Sequence, residues 1–178
     1  TSAIVNNGTG SAVENDGDPD PANNATVTIA ADVTNSGGGR AIDIQNRTGN
    51  TITFSGTVDE TGNGLLVTGN TGGTIAFGNL VSSTVTGFNH AVDLSTNPGA
   101  TIGFTGVNLR SDQGTAFRAI GGGNLLVVGP TDATNSNTID TTGGVGVEID
   151  GITIENVGVS FDTVNVTNGS TNGIVLNK

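Results

Sequence analysis

Three observations predict an all-β chain folded as a stack of repeated coils. One four-residue pattern returns at intervals near 27 residues, a second follows it at a fixed offset, and Val, Ile and Thr supply about a third of the 178 residues. The good helix formers Glu, Lys, Gln, Arg and Met are sparse, so strands are favoured over helices. The 30 Gly and 4 Pro stay below the ~25–30% share that marks low-complexity disorder, and Val, Ile, Leu and Phe are frequent enough to fill a core.

The first pattern reads small, apolar, any residue, apolar. It appears as Ala41-Ile42-Asp43-Ile44, Gly64-Leu65-Leu66-Val67, Ala91-Val92-Asp93-Leu94, Ala116-Phe117-Arg118-Ala119, Gly146-Val147-Glu148-Ile149 and Gly173-Ile174-Val175-Leu176, with Ala12-Val13-Glu14 as a weaker first copy. Its first apolar positions, Val13 to Ile174, are separated by 29, 23, 27, 25, 30 and 27 residues. The second pattern is Thr51-Ile52-Thr53-Phe54, Thr74-Ile75-Ala76-Phe77 and Thr101-Ile102-Gly103-Phe104, preceded by Thr26-Val27-Thr28-Ile29 and followed by Val159-Ser160-Phe161. Ile44 to Ile52, Val67 to Ile75 and Leu94 to Ile102 each span eight positions, and the Asn and Gly between them tolerate the positive φ of tight turns. Equal spacing implies equal turns. A third, weaker strand is marked by Val33, Val58, Val85, Leu109, Ile139 and Val166.

Three short strands per repeat make a single-domain parallel β-helix of about six coils over residues 1–178, since one coil cannot bury its apolar residues alone. Parallel crossovers imply a right-handed coil. Alternation sends Ile52 and Phe54 inward and predicts one inward column of Phe54, Phe77, Phe104 and Phe161. An antiparallel sandwich also has frequent turns, but it has no reason to repeat one strand pattern in the same order.

From about Ala12 to Leu176 the chain resembles right-handed parallel β-helix repeat proteins, especially the Gly/Asn/Thr-rich, cysteine-free repeat regions of bacterial surface and autotransporter-type adhesins. The resemblance rests on the two strand patterns and their spacing. It implies a secreted or cell-surface location and an extracellular stalk, adhesin or carbohydrate-acting scaffold. The lyases built on this fold use a Lys or Arg base beside a Ca²⁺-binding acidic cluster, and no matching constellation is present.

With no Cys there is no disulfide framework and no thiolate metal site. A formal charge of -11 and one lysine, Lys178, argue against nucleic acid or an anionic membrane as partner. No apolar run is long enough to insert into a bilayer. The first strand's outward positions form the column Glu14, Asp43, Leu66, Asp93, Arg118, Glu148 and Val175. Asp43 and Asp93, two coils and hence ~9–10 Å apart, sit near the upper limit for an inverting glycosidase pair. Arg118 neutralises that group, and no Trp or Tyr is present to stack on a sugar, so a surface charge ladder without catalysis is expected.

The acidic insertion at 14–24 in the first coil places Asp16, Asp18 and Asp20 at alternate positions, as in the first part of a Ca²⁺ loop. The bidentate Glu of such a loop is missing. Ca²⁺ at these three residues is the one cofactor the sequence suggests. Thr26, Thr51, Thr74 and Thr101 form an outward column of the kind that could order water or bind ice, but its neighbour decays to Ala76 and Gly103. His90, alone on a turn, reads as a solvated turn residue. Gly121-Gly122-Gly123 lacks the Lys and helix of a phosphate loop and reads as a turn.

Ala3-Ile4-Val5 matches a third strand and Gly173 to Leu176 a first strand, so both ends are expected to expose coil edges. The expected function is a structural or adhesive solenoid, a stalk segment or filament subunit, and not an enzyme. Its partners are neighbouring repeats or further copies stacked through the coil ends, with a glycan or host-surface ligand. A carbohydrate-binding or carbohydrate-cleaving β-helix is the alternative, and an ice-binding protein a lesser one.

Overall fold

The computed structural model describes residues 2–20, 24–127, 136–169 and 172–177; Lys178 and residues 21–23 of the acidic insertion lie outside the described residues. Strands β1 (Ala3–Asn6) to β18 (Ile174–Asn177) follow one another, with no helix among the described residues. They coil into a parallel β-solenoid of about six turns.

The predicted first strands form one sheet. It runs β18-β15-β12-β10-β8-β5-β2, where β2 is Val13–Asp16, β5 Ile42–Gln45, β8 Leu65–Thr68, β10 Val92–Ser95, β12 Phe117–Ile120 and β15 Val147–Asp150. Each pairs in parallel with the same strand of the next coil. Period-two alternation buries Ile42, Ile44, Leu65, Val67, Val92, Leu94 and Phe117 almost completely, each worth about 1.5–3 kcal/mol on removal from water.

The second and third strands of each repeat share a single eleven-stranded sheet. In two coils they run on without a break, as β9 (Gly72–Thr84) and β11 (Thr101–Ser111). The bend that would separate them is absorbed by a register slip between Phe104 and Gly106, the work of a bulge. On one part of this sheet lie β3 (Val27–Ile29), β6 (Thr48–Phe54), β13 (Asn124–Val127) and β16 (Thr153–Val159). On the other lie β1, β4 (Asp32–Asn35), β7 (Val58–Glu60), β14 (Thr138–Thr142) and β17 (Thr163–Thr167).

The rings of Phe54 and Phe77 stack at 5.0 Å and 9°, and those of Phe77 and Phe104 at 4.7 Å and 6°. Phe161 does not continue this column. Val159 occupies the register position, opposite Val127, because β16 spends three more residues than β13 between its two paired positions. Phe161 therefore packs edge-on to Phe117 at 5.5 Å, and Phe117, from the opposite sheet, also meets Phe104 edge-on at 5.9 Å.

The third-strand markers also divide. Val33 pairs with Val58 and Val58 with Val81, and Val107 follows, so the column passes through Val81 and not Val85. Leu109 and Ile139 belong to the next inward column, opposite Ser83, and Val166 pairs with Thr141. Several inward positions here are polar, so apolar residues alone did not define the register.

The repeated turn after the first strand has a common backbone. Asn46, Gly69, Thr96 and Gly121 take φ of 57°, 70°, 57° and 77°, and the N–H of each of the first three donates to the carbonyl of Thr68, Ser95 or Ile120 in the next coil. Immediately after them, buried Asn70 donates its amide to Asn97 Oδ1 at 2.7 Å, and Asn97 donates to Val67 O at 2.9 Å.

Candidate functional site

The outward column of the first sheet is in the predicted order: Asp43 pairs with Leu66, Leu66 with Asp93, Asp93 with Arg118 and Arg118 with Glu148. Arg118 bridges its two acidic neighbours, with NH1 3.0 Å from Asp93 Oδ1 and Nε 3.4 Å from Glu148 Oε2. Asp43 accepts from Gln45 Nε2 at 2.7 Å, and Leu66 separates it from Asp93. The column is a charge ladder held by cross-strand pairing: of the Asp43/Asp93 pair, Asp93 is engaged by the Arg118 guanidinium and Asp43 by Gln45.

Asp16, Asp18 and Asp20 fall into local hydrogen bonds. Asn46 Nδ2 donates to Asp16 Oδ1 at 2.9 Å, and the Asp20 N–H donates to Asp18 Oδ1 at 2.8 Å. The Asp18 carbonyl accepts from Asn24 Nδ2 and Thr48 Oγ1. Among the described residues, no three acidic or histidine side chains are grouped to hold a metal ion. The Thr column continues as predicted through Thr51, Thr74 and Thr101, then passes to Asn124 and Thr153.

His90 is half-buried, and its Nδ1 accepts the Thr115 N–H at 3.0 Å. The imidazole is thus tied to the next coil. Gly121, Gly122 and Gly123 all have positive φ, in keeping with a turn.

The sequence reading missed two buried ionic groups. Glu60, in β7, has no exposure. Its carboxylate accepts Asn35 Nδ2 at 3.0 and 3.2 Å and the backbone N–H groups of Ala41 and Gly62. Burial pushes this carboxyl above its ordinary pKa, against the opposing pull of the donors from Asn35, Gly62, Ala41 and Gly64. A carboxylate sealed in this way offers nothing to an external substrate.

Arg47, 2% exposed, donates NH1 to Asn15 Oδ1 at 2.9 Å and NH2 to the carbonyls of Ala25 and Gly49 at 2.9 and 3.1 Å. Its buried Nε has no partner among the described residues, and burial lowers the guanidinium's pKa. Both ions are solvated by neutral dipoles. Alternation could have found Glu60, which stands two positions after inward Val58; Arg47 lies in a turn, where alternation gives no guide.

At the far end of the stack, Ile154, Ile174 and Leu176 are exposed by 43%, 52% and 68% around a hollow of about 390 Å³. Set against protein-family models, curated proteins and solved structures, the chain matches none.

Proposed function

We propose that the chain is an extracellular structural or adhesive β-solenoid, a stalk segment or filament subunit whose stacked coils hold surfaces at fixed spacing. The observation that carries this reading is the continuity of the inward columns, which arrive at an exposed apolar face formed by Ile154, Ile174 and Leu176. Among the described residues of the seven-stranded sheet, β18 pairs with β15 alone, which leaves its other edge available to a further parallel strand. Parallel addition is head to tail. That edge therefore suits either a further coil of a longer chain or the first coil of a second copy, and repeated addition of copies gives an open filament. The charge of -11 keeps the lateral surface soluble.

Sedimentation over a wide concentration range tests the filament form. Reversible growth that Leu176→Asp abolishes is the expected result, and a strict monomer at the highest concentration refutes self-stacking.

A further inference from the structure

The turn that carries Phe88 and His90 creates a second feature, on the side of the stack. It sits directly over Gly114, where an added Cβ would lie 1.9 Å from the Asn89 carbonyl oxygen; at Gly144, in the following coil, a Cβ would lie 2.1 Å from the Gly114 carbonyl oxygen. Neither position can carry a side chain without moving backbone, so the two coils beyond the turn present bare main chain at Gly114 and Gly144. Phe88, 79% exposed, stands beside the groove this leaves, whose volume of about 520 Å³ is shared with His90, Gln113 and Val145. That volume falls in the range of small-molecule sites.

The polar side chains are few. His90 lines the groove with its Nδ1 spent on the Thr115 N–H, so the Nε2 edge of the ring is the one left for a ligand. The side chain of exposed Gln113 supplies an amide with both donors and an acceptor. Among the described residues no Asp, Glu, Lys or Arg lines the groove, so a charged ligand finds no counter-ion among them. An apolar peptide finds only Phe88 and Val145. A sugar ring has the matching mixture: a C–H face for an aromatic ring, and hydroxyls for an imidazole and an amide.

We propose that the groove between Phe88, His90 and Gln113 is a binding subsite for a neutral saccharide. The subsite would give the solenoid a ligand, and it does not depend on end-to-end stacking.

The test titrates the intact chain with cellopentaose, maltopentaose, xylopentaose and chitopentaose at millimolar concentration, followed by amide NMR, with N-acetylphenylalaninamide as an apolar control. At least one saccharide is expected to shift Gln113, Gly114 and Gly144 together. Phe88→Ala is expected to weaken that binding roughly tenfold with unchanged melting temperature and unchanged sedimentation. The proposal is overturned if no saccharide moves these amides, if Phe88→Ala binds as tightly as the parent, or if only the apolar control binds.

Discussion

Phe77→Ala is the sharpest probe of the packing. The ring lies 2% exposed between Phe54 and Phe104, stacked on both at 5.0 and 4.7 Å. Its removal takes away a fully buried aromatic and two stacked pairs, each pair worth about 0.5–1.5 kcal/mol beyond area burial. Truncating a buried Phe costs about 3–5 kcal/mol when the site cannot collapse. Collapse is blocked here because β9 is hydrogen-bonded to β6 on one side and β11 on the other, which fixes the coil spacing around the void. The cost should fall in the upper half of that range. Chemical denaturation reads it as a shift of the midpoint, together with a lower slope if the coils on either side of the void unfold separately. Phe88→Ala, at an exposed ring, is the control and should stay within about 0.5 kcal/mol of the parent. A cost for Phe77→Ala below about 1 kcal/mol with an unchanged slope would show that the three rings do not form a packed column.

Glu60 gives the pH prediction. Because its folded pKa is raised, the folded state holds the proton over a window where the unfolded state has lost it, so stability falls as pH rises from the ordinary glutamate value through the raised one. Glu60→Gln should remove that slope when its stability curve is subtracted from the parent's; superimposable slopes would contradict the shift. Arg118→Glu places a third carboxylate between Asp93 and Glu148, and thermal denaturation at low salt should show a loss of about 1–2 kcal/mol that added salt reduces. The same variant should leave any polysaccharide turnover unaltered, and a drop in measured turnover would reopen the catalytic reading of the column. Calcium decides the role of Asp16, Asp18 and Asp20: a bound ion requires a higher melting temperature in millimolar Ca²⁺, and identical curves in Ca²⁺ and chelator dismiss it.

The register of the first sheet was legible in the sequence, because its strands combine a small residue, two apolar positions and a recurring turn. The column from Asp43 through Arg118 to Glu148 followed directly, since alternation leaves no other parity once Ile42 and Ile44 face inward. Legibility failed where the local pattern and the hydrogen-bond ladder parted. Val159-Ser160-Phe161 imitates the Ile-x-Phe motif, yet the longer route from Ile154 to Val159 moves Phe161 out of the stack. Val85 is buried at the end of the third strand but does not share the column of Val58, because Val81 holds that place and Ser83 takes the inward position between them. Nothing in the composition announced Phe88 as the one phenylalanine outside the core, because its exposure depends on how a turn lies over the glycines of later coils.

Those polar inward positions bear on how a repetitive chain keeps one register. Val33, Val58, Val81 and Val107 present nearly the same face, so a strand displaced by one coil would lose little apolar contact. Glu60 is not interchangeable in this way. In place it meets Asn35 and the N–H groups of Ala41 and Gly62; set one coil further on, beside β11, it would face Leu109, which is the partner of Ser83. An unpaired buried charge costs several kcal/mol, more than the small differences among valine columns can offset. Arg47 marks the first coils by the same logic, since its donors match Asn15, Ala25 and Gly49, and Asn70 and Asn97 tie the next two coils together. The apolar columns supply most of the cohesion and the buried polar groups tell one coil from another. The proposed spacing role would need both, because a stack free to slip by a coil would hold its surfaces at no fixed distance.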